Sequence, residues 1–331
     1  MIHMSESKTA GKSILDVHLH IWAREMYGKK YMISKSEEFY KKLNYPLDAT
    51  VDMLTQALDV AEARLGRPYH GWVQTIDHGI ELGMETTIAQ LNDYTAESVA
   101  RDRKKRLVGF AGIDPRRGEE AVLEVERCML KKGLRGLKLY PPFGFYPNES
   151  VAYPIYEKIV ELQKELRITL PVLFHQGVAV CGSKYCRPIY LDDVATNFGP
   201  DLKIIAAHAG VPWIDEMLWI TAVHSNLYFD MGCVADLMGL WPEYYADVLG
   251  KAKRAGITER VLFASDWPCL YFLFKPDDPQ NKFSVLHNWV QEFQRISTPA
   301  MLKQLGYPEI TEEDKERILS ENAAKLISSP P

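Results

Sequence analysis

Two histidines, His18 and His20, lie two positions apart in a mainly apolar stretch near the start of the chain. Residues i and i+2 of a β-strand project from the same face, so both imidazoles could reach one ion. Imidazole nitrogens are common ligands of divalent metals. A pair of strand histidines can equally be a polar part of the core that hydrogen-bonds to the backbone, so the pair alone leaves both interpretations open.

Three further polar residues, His175, His208 and Asp266, each follow a run of apolar, β-forming residues. If these runs are parallel strands of one barrel, their carboxyl ends lie on one face and the polar side chains converge there. Burying several imidazoles and a carboxylate without partners is costly, and a divalent cation removes that cost. Three histidines and one aspartate leave a position open for water, which indicates a catalytic rather than a structural metal site.

The predicted ligands combine nitrogen and oxygen atoms, a mixture that is typical of zinc sites. Manganese, iron and nickel are alternatives, because such a ligand set does not discriminate sharply between these metals. We therefore predict one divalent metal ion per chain, with Zn²⁺ as the first choice, and no organic cofactor.

The elements that must position these residues follow from the periodicity of the sequence. Short apolar runs predict strands at 14–18, 72–76, 107–113, 136–140, 170–175, 202–208, 226–230 and 260–265. Helical spacing predicts helices at 51–65, 86–103, 119–132, 153–166, 213–224 and 244–255. This alternation predicts an α/β fold, a (β/α)₈ TIM barrel with the metal site at the C-terminal ends of its strands. An open doubly wound sheet is the alternative, but no GxGxxG sequence follows the first strand.

The 331 residues contain no internal repeat and no Gly/Ser-rich linker, so we expect one domain over residues 1–331. Residues 1–13 are expected to be a flexible N-terminus. Residues 23–47 and 267–283 follow the first and last strands, where barrel enzymes build their active sites. We therefore expect these two segments to be active-site loops.

The composition argues against several classes of function. Lys and Arg number 39 and Asp and Glu 44, so the formal charge is −5 and nothing favours binding of nucleic acid. Without a transmembrane-length apolar segment or a secretory signal, we expect a cytoplasmic protein that does not bind membranes. Five cysteines without a CxxC pair predict free thiols. Apolar residues on the predicted surface helices predict a homo-oligomer, either a dimer or a tetramer.

An ordered set of motifs resembles the amidohydrolase superfamily over about residues 14–327. The motifs are His18-x-His20, Gly136-Leu-Lys-Leu-Tyr-Pro-Pro142, Phe174-His175-Gln-Gly177, Ala207-His208-Ala-Gly210, Phe263-Ala-Ser-Asp266-Trp-Pro268 and Glu321-Asn-Ala-Ala-Lys325. The most similar branch is the amidohydrolase-related one that includes aminocarboxymuconate semialdehyde decarboxylase. The resemblance implies a TIM barrel, metal ligation by His18, His20, His175 and Asp266, and an acid/base or electrophilic role for His208.

The segment after His208 differs from that of the decarboxylases in this branch, and the role of Lys138 has two interpretations. The sequence after His208 lacks their longer glycine run and downstream arginine, which puts their way of gripping a carboxylate in doubt. Lys138 occupies the strand-four position where binuclear relatives hold a carboxylated lysine that bridges two metals. We favour an ordinary amine near the cavity mouth that pairs with a carboxylate, and hence a single metal.

The predicted substrate is a small molecule that bears a carboxylate. We expect Arg24 and Arg187 to bind the carboxylate, Trp22 to stack on a flat substrate, and Lys138 to contribute its amine. The favoured reaction is hydrolysis of a C–N or C–O bond, in an amide or lactone, by metal-activated water, with Asp266 and His208 as catalytic residues. The alternatives are non-oxidative decarboxylation of an aromatic or unsaturated acid and a barrel that binds without catalysing.

Overall fold

A computed structural model of the chain describes residues 12–27, 48–82, 85–179, 182–232, 243–269 and 283–328. Within these residues, eight strands form one sheet in the order β1 to β8, and all neighbouring pairs are parallel. The strands are Ile14–His20 (β1), Tyr69–Gln74 (β2), Leu107–Ile113 (β3), Leu137–Leu139 (β4), Val172–Phe174 (β5), Ile204–Ala206 (β6), Leu227–Asp230 (β7) and Val261–Leu262 (β8).

Helices alternate with the strands. They are Val51–Leu65 (α1), Gly79–Leu82 (α2), Ile88–Ala100 (α3), Glu119–Leu130 (α4), Tyr153–Leu166 (α5), Tyr190–Phe198 (α6), Ile214–Val223 (α7), Glu243–Arg254 (α8), Val285–Arg295 (α9), Ala300–Gln304 (α10), Glu312–Glu316 (α11) and Asn322–Ser328 (α12). A π-helical segment, Arg317–Glu321, connects the last two. The alternation confirms the predicted (β/α)₈ TIM barrel.

The sheet nearly closes on itself, because the chain that follows β8 pairs with β1. The main-chain N–H of Asp266 donates to the carbonyl of His18 at 2.9 Å, and that of His20 donates to the carbonyl of Trp267 at 2.7 Å. Closure satisfies the backbone groups that an open sheet leaves unpaired at its edges. It also places Asp266 beside the two histidines of β1.

The predicted strands all exist, but several end earlier than expected. Strand β6 ends at Ala206 instead of His208, because His208 and Ala209 have φ angles of 59° and 49°. Asp266, which follows β8, likewise has a φ of 54°. Left-handed backbone cannot continue an extended strand. The polar residues therefore sit on the turns that leave the strands, at the rim of the barrel.

The apolar core has two layers. The inner cluster contains Val17, Trp72, Phe110, Leu173, Ile205, Ala207, Leu262 and Ala264, which come from strands or strand ends around the barrel, while a larger cluster lies between strands and helices. Ala323 and Leu326 of α12 belong to the inner cluster, so this helix covers the amino-terminal end of the barrel. The polar residues that follow the strands lie at the opposite, carboxyl-terminal end of the barrel.

Some predictions concern residues outside those that the structure describes. Of the expected N-terminal segment and the two expected active-site loops, only 12–13, 23–27, 267–269 and 283 are described, and 24–27 form a 3-10 helix. Cys128, Cys186 and Cys269 are reduced thiols, as predicted, while Cys181 and Cys233 lie outside the described residues. None of the described helices combines the length and apolar character needed to cross a membrane.

The side chain of Asn322 links the C-terminal segment to the start of β8. Its Nδ2 donates to the carbonyls of Thr258 and Val261 at 2.9 and 2.8 Å, and the residue is 1% exposed. We expect Asn322→Ala to lower the free energy of unfolding by about 2 kcal/mol, because the buried carbonyl of Val261 and the part-buried carbonyl of Thr258 both lose the Asn322 donor. Urea denaturation measures this change.

The matched control for this prediction is Asn197→Ala. The Asn197 amide donates to the hydroxyl of Tyr153 at an exposed site. This control should change the free energy of unfolding by less than about 0.5 kcal/mol. Equal effects of the two variants would contradict the assigned role of Asn322.

Candidate metal centre

A β-bulge in β1 determines which side chains face the barrel interior. Asp16 pairs with Gly71 but Leu19 pairs with Val73, so β1 contains one more residue than β2 over this interval. Val17 therefore belongs to the inner apolar cluster while the next residue, His18, also points inward, where it contacts other polar groups. Extra residues of this kind re-aim side chains near active sites. The bulge adds the His18 imidazole to the inner face without removing Val17.

The side chains of β1, β4 and the turn after β8 converge on a small volume. Nε2 of His18 lies 3.0 Å from Nε2 of His20 and 3.0 Å from Nζ of Lys138. Oδ1 of Asp266 lies 3.5 Å from Nε2 of His20 and 3.7 Å from Nε2 of His18. All four residues are buried. The structure thus brings together His18, His20 and Asp266 from distant parts of the sequence.

The hydrogen bonds of the two imidazoles fix their tautomers. Nδ1 of His20 lies 3.0 Å from the carbonyl oxygen of Gln74, and Nδ1 of His18 lies 2.9 Å from Oδ2 of Asp230. A carbonyl and a carboxylate accept, so each Nδ1 carries the hydrogen and each Nε2 carries an electron pair. The two electron pairs face each other across 3.0 Å. This arrangement fits a divalent cation, since metal-binding histidines typically donate their other N–H to such acceptors.

Burial sets the charge of the cluster. It lowers the pKa of His18, His20 and His208 well below the usual value and that of His175 to about 3, so these imidazoles are neutral at neutral pH. Burial raises the pKa of Asp266 well above its usual value and lowers that of the Lys138 amine to about 8. Neutral imidazoles are the form that binds metals, so protons compete weakly for these nitrogens.

His208 sits on the left-handed turn after β6. Its ring centroid lies 5.0 Å from that of His18 and 4.9 Å from that of His175. The side chain is buried, and its Nδ1 has no hydrogen-bond partner among the described residues. A buried nitrogen without a partner is costly, so this atom is available for a ligand.

His175 lies farther from the point where the other histidines meet. Its ring packs on Tyr140 with centroids 4.7 Å apart, and its Nε2 lies 3.4 Å from the carbonyl oxygen of Val178. Among the described residues, two groups have ligand atoms within 4.8 Å of one another: His18, His20 and Asp266, and His18, His208 and Asp230. The ring of His175 contacts that of His208, but His175 belongs to neither of these two groups.

The structure also locates the residues predicted to bind substrate. Lys138 is 1% exposed and contacts His18, so it lies deeper than the cavity mouth where we expected it.

The arginines and the tryptophan predicted to bind substrate have other contacts. Arg24 is exposed, and its main-chain N–H donates to Asp48. The Arg187 guanidinium pairs with Glu216 at 2.5 Å. Trp22 pairs with the backbone of Ala49. The structure does not bring these arginines into the histidine cluster.

Sequence reasoning missed three residues that position the histidines. Asp230 is the polar last residue of an apolar strand. A polar residue at the end of an apolar run is the signal that identified His175 and His208, so the sequence could have identified Asp230 as well. Gln74 acts through its main-chain carbonyl, which no side-chain pattern reveals. Asp16 is fully buried and accepts from the hydroxyl of Tyr69 at 2.8 Å and the N–H of Ser265 at 3.0 Å, so it ties β1 to its neighbours.

Comparisons with known proteins concern the family and the fold of the chain. The family model described as Amidohydrolase matches residues 15–328. A search of curated proteins gave no significant match. Among solved structures, the probable 2-pyrone-4,6-dicarboxylic acid hydrolase of Acinetobacter baumannii, with citric acid bound, has a TM-score of 0.59 at 15% identity and covers 96% of this chain and 99% of its own.

Two decarboxylases are similar to the same extent. A 2,6-dihydroxybenzoate decarboxylase in complex with 2,6-dihydroxybenzoate has a TM-score of 0.59 at 16% identity, covering 97% of this chain and 100% of its own. A dihydroxybenzoic acid decarboxylase from a Polaromonas species, with bound manganese and the inhibitor 2-nitroresorcinol, has a TM-score of 0.58 at 17% identity. The match covers 96% of this chain and 97% of the decarboxylase. At these identities the likeness shows the fold alone.

The depressed pKa of His175 predicts a pH-dependent stability. Its pKa falls from 6.5 to about 3 on folding, so between these values the unfolded chain binds a proton that the folded chain refuses. The contribution is complete above pH 6.5 and is lost as the pH falls toward 3. We therefore compare the unaltered chain with His175→Asn, both treated with chelator. As the pH is lowered through this range, the free energy of unfolding of the unaltered chain should fall by about 1.4 kcal/mol per pH unit more than that of the variant.

Urea titrations of both proteins from about pH 7 to pH 4 measure this difference, and comparing two chains cancels the other titrating groups. A gap between the two stability curves that stays constant with pH would show that His175 is not held neutral by burial.

Proposed function

Because the chain belongs to the amidohydrolase family, we propose that it is a metal-dependent hydrolase of a C–N or C–O bond, in an amide or lactone, of a small organic acid. The observation that carries this proposal is the pair of unprotonated Nε2 atoms of His18 and His20, 3.0 Å apart, with the Asp266 carboxylate within 3.7 Å of both. These groups suit the binding of a cation and the transfer of a proton at one place.

The proposed ligands are His18, His20, His175 and Asp266, around one divalent ion and without an organic cofactor. Zn²⁺ is our first choice, and manganese, iron and nickel are alternatives; one structural neighbour contains manganese. A cation held there would lower the pKa of water and polarise a substrate oxygen. The ring of His175 would have to turn its Nδ1 toward the other ligands, since its Nε2 faces a carbonyl.

Asp266 is the proposed general base and acid. Its Oδ1 reaches the space beside both Nε2 atoms, where it would take a proton from the attacking water and return it to the leaving group. Burial raises the pKa of this carboxyl, which makes it a better proton acceptor than an exposed aspartate. The positive charge of the Lys138 amine opposes that shift by lowering the pKa of the Asp266 carboxyl.

His208 is the proposed group that stabilises the developing oxyanion. It is neutral and buried, and its Nδ1 has no partner among the described residues, so a ring N–H can be directed at substrate. Trp22, Arg24, Lys138 and Arg187 remain our proposed substrate-binding residues. Recognition of a substrate carboxylate by Arg187 requires that its guanidinium leave Glu216.

A second candidate function is non-oxidative decarboxylation of an aromatic or unsaturated acid. A row of aromatic rings supports it. The ring centroid of Tyr140 lies 4.7 Å from those of His175 and Phe143, and the ring centroid of Phe143 lies 5.3 Å from that of His78. Such a row suits a flat conjugated substrate. In this reaction the C–COO⁻ bond would break to release CO₂, and Asp266 or His208 would supply the proton that replaces it on carbon.

Product analysis separates the two functions. With the metal-loaded enzyme, 2-pyrone-4,6-dicarboxylate and 2,6-dihydroxybenzoate serve as lactone and aromatic-acid probes. We expect ring opening of the lactone with one oxygen taken from ¹⁸O-labelled water, and loss of at least about 100-fold in kcat in Asp266→Asn. Release of CO₂ without incorporation of ¹⁸O would contradict hydrolysis and support the decarboxylase. Full activity of Asp266→Asn would remove this residue from either mechanism.

We also propose a cytoplasmic homo-oligomer, a dimer or a tetramer. Trp219 and Val223 lie one turn apart on α7 and are 73% and 71% exposed. Large apolar side chains exposed side by side are typical of interfaces. Light scattering should give two or four times the monomer mass, and Trp219→Glu should shift the protein toward monomer. A monomer for the unaltered chain would contradict the proposal.

A further inference from the structure

We propose that Asp230 is a positioning residue whose one carboxylate fixes the tautomer of His18 and holds the turn that presents His208. The inference rests on the proposed function, because it concerns how the chain prepares His18 for a metal ion. Asp230 is the last residue of β7 and is completely buried.

One oxygen of the carboxylate favours the tautomer of His18 that carries its hydrogen on Nδ1, and the Lys138 amine, 3.0 Å from Nε2, fits the same tautomer. Oδ2 of Asp230 lies 2.9 Å from Nδ1 of His18 and accepts its N–H. Nε2 of His18 therefore keeps its electron pair and points it at Nε2 of His20, 3.0 Å away. With the hydrogen on the other nitrogen, His18 would present an N–H there and could not bind a metal.

The other oxygen holds the main chain of two loops. Oδ1 of Asp230 accepts from the N–H of His208 and the N–H of Gly232, each at 2.9 Å. The φ angles of His208 and Ala209, 59° and 49°, are unfavourable for residues other than glycine, so the turn needs external support. The carboxylate gives that support and keeps the His208 ring centroid 5.0 Å from that of His18.

The packing around Asp230 is tight at Gly232. A Cβ atom on Gly232 would lie 2.9 Å from Nδ1 of His208 and 3.1 Å from Oδ1 of Asp230. The absence of a side chain at 232 therefore allows the carboxylate, the His208 ring and the chain after β7 to approach one another. One side chain thus couples the orientation of a proposed ligand to that of a proposed catalytic residue.

The variant Asp230→Asn separates the tautomer from the packing. Its amide oxygen can replace Oδ1 toward the two N–H groups, which leaves its NH₂ group facing Nδ1 of His18. Two donors would then oppose each other across 2.9 Å at Nδ1, so we expect the hydrogen of His18 to move to Nε2, although the Lys138 amine lies 3.0 Å from that atom. The Kd for Zn²⁺, measured by competition with a chromophoric chelator, should rise about 10- to 100-fold.

The matched control is Asp192→Asn. The Asp192 carboxylate also pairs with a histidine, His224, at 2.7 Å, but outside the barrel. This variant makes the same chemical change to an Asp–His pair and should leave the Kd for Zn²⁺ unchanged. A similar rise in both variants would show that the effect is not specific to Asp230 and would overturn the inference.

A second readout does not depend on metal binding. ¹⁵N NMR of histidine in metal-free protein, with His18 assigned from a His18→Gln variant, should show the Nδ1–H tautomer in the unaltered chain and the Nε2–H tautomer in Asp230→Asn. An Nε2–H tautomer in the unaltered chain overturns the inference even if the variant does not fold. An unchanged tautomer and Kd in a folded Asp230→Asn also overturn it. If the unaltered chain shows the expected tautomer but binds no Zn²⁺, the proposed function fails while the role of Asp230 stands.

Discussion

Two imidazole nitrogens with facing electron pairs, 3.0 Å apart in a buried site, form the interaction on which the rest of the site depends. The rings cannot relieve the repulsion by exchanging hydrogens, because a backbone carbonyl and a buried carboxylate already occupy their other nitrogens. Positive charge beside the electron pairs stabilises this arrangement, and Lys138 supplies part of it. The barrel, the bulge and the closing hydrogen bonds all serve to hold these two rings in place.

Much of this arrangement could be predicted from the sequence, because it depends on periodic patterns. Apolar runs alternating with helical spacing gave the barrel, and polar residues directly after those runs located His208 and Asp266 at one end of it. The helices at 51–65 and 153–166 have the predicted bounds, since their apolar residues keep helical spacing from end to end. Strands β5, β6 and β8 are shorter than predicted, because apolar residues continue beyond the last sheet hydrogen bond.

Other features could not be predicted, for physical reasons. The bulge in β1 depends on the register between two strands, which the sequence of one strand does not contain. Gln74 acts through its carbonyl, and any residue would offer the same atom. The predicted roles of Arg24 and Arg187 depended on loops whose paths no pattern determines; in the structure Arg24 is exposed and the Arg187 guanidinium pairs with Glu216. Residues 28–47 and 270–282, where we expected most of the substrate loops, lie outside the described residues.

The central claim is that His18, His20 and Asp266 hold one divalent cation. The most direct test is an anomalous difference map at the zinc absorption edge, from crystals of protein saturated with Zn²⁺, with elemental analysis of the same sample. We predict one ion per chain, bonded to Nε2 of His18, Nε2 of His20 and the Asp266 carboxylate, and no such ion when both histidines are changed to alanine. A zinc-saturated, folded protein with no peak between these side chains would contradict the claim.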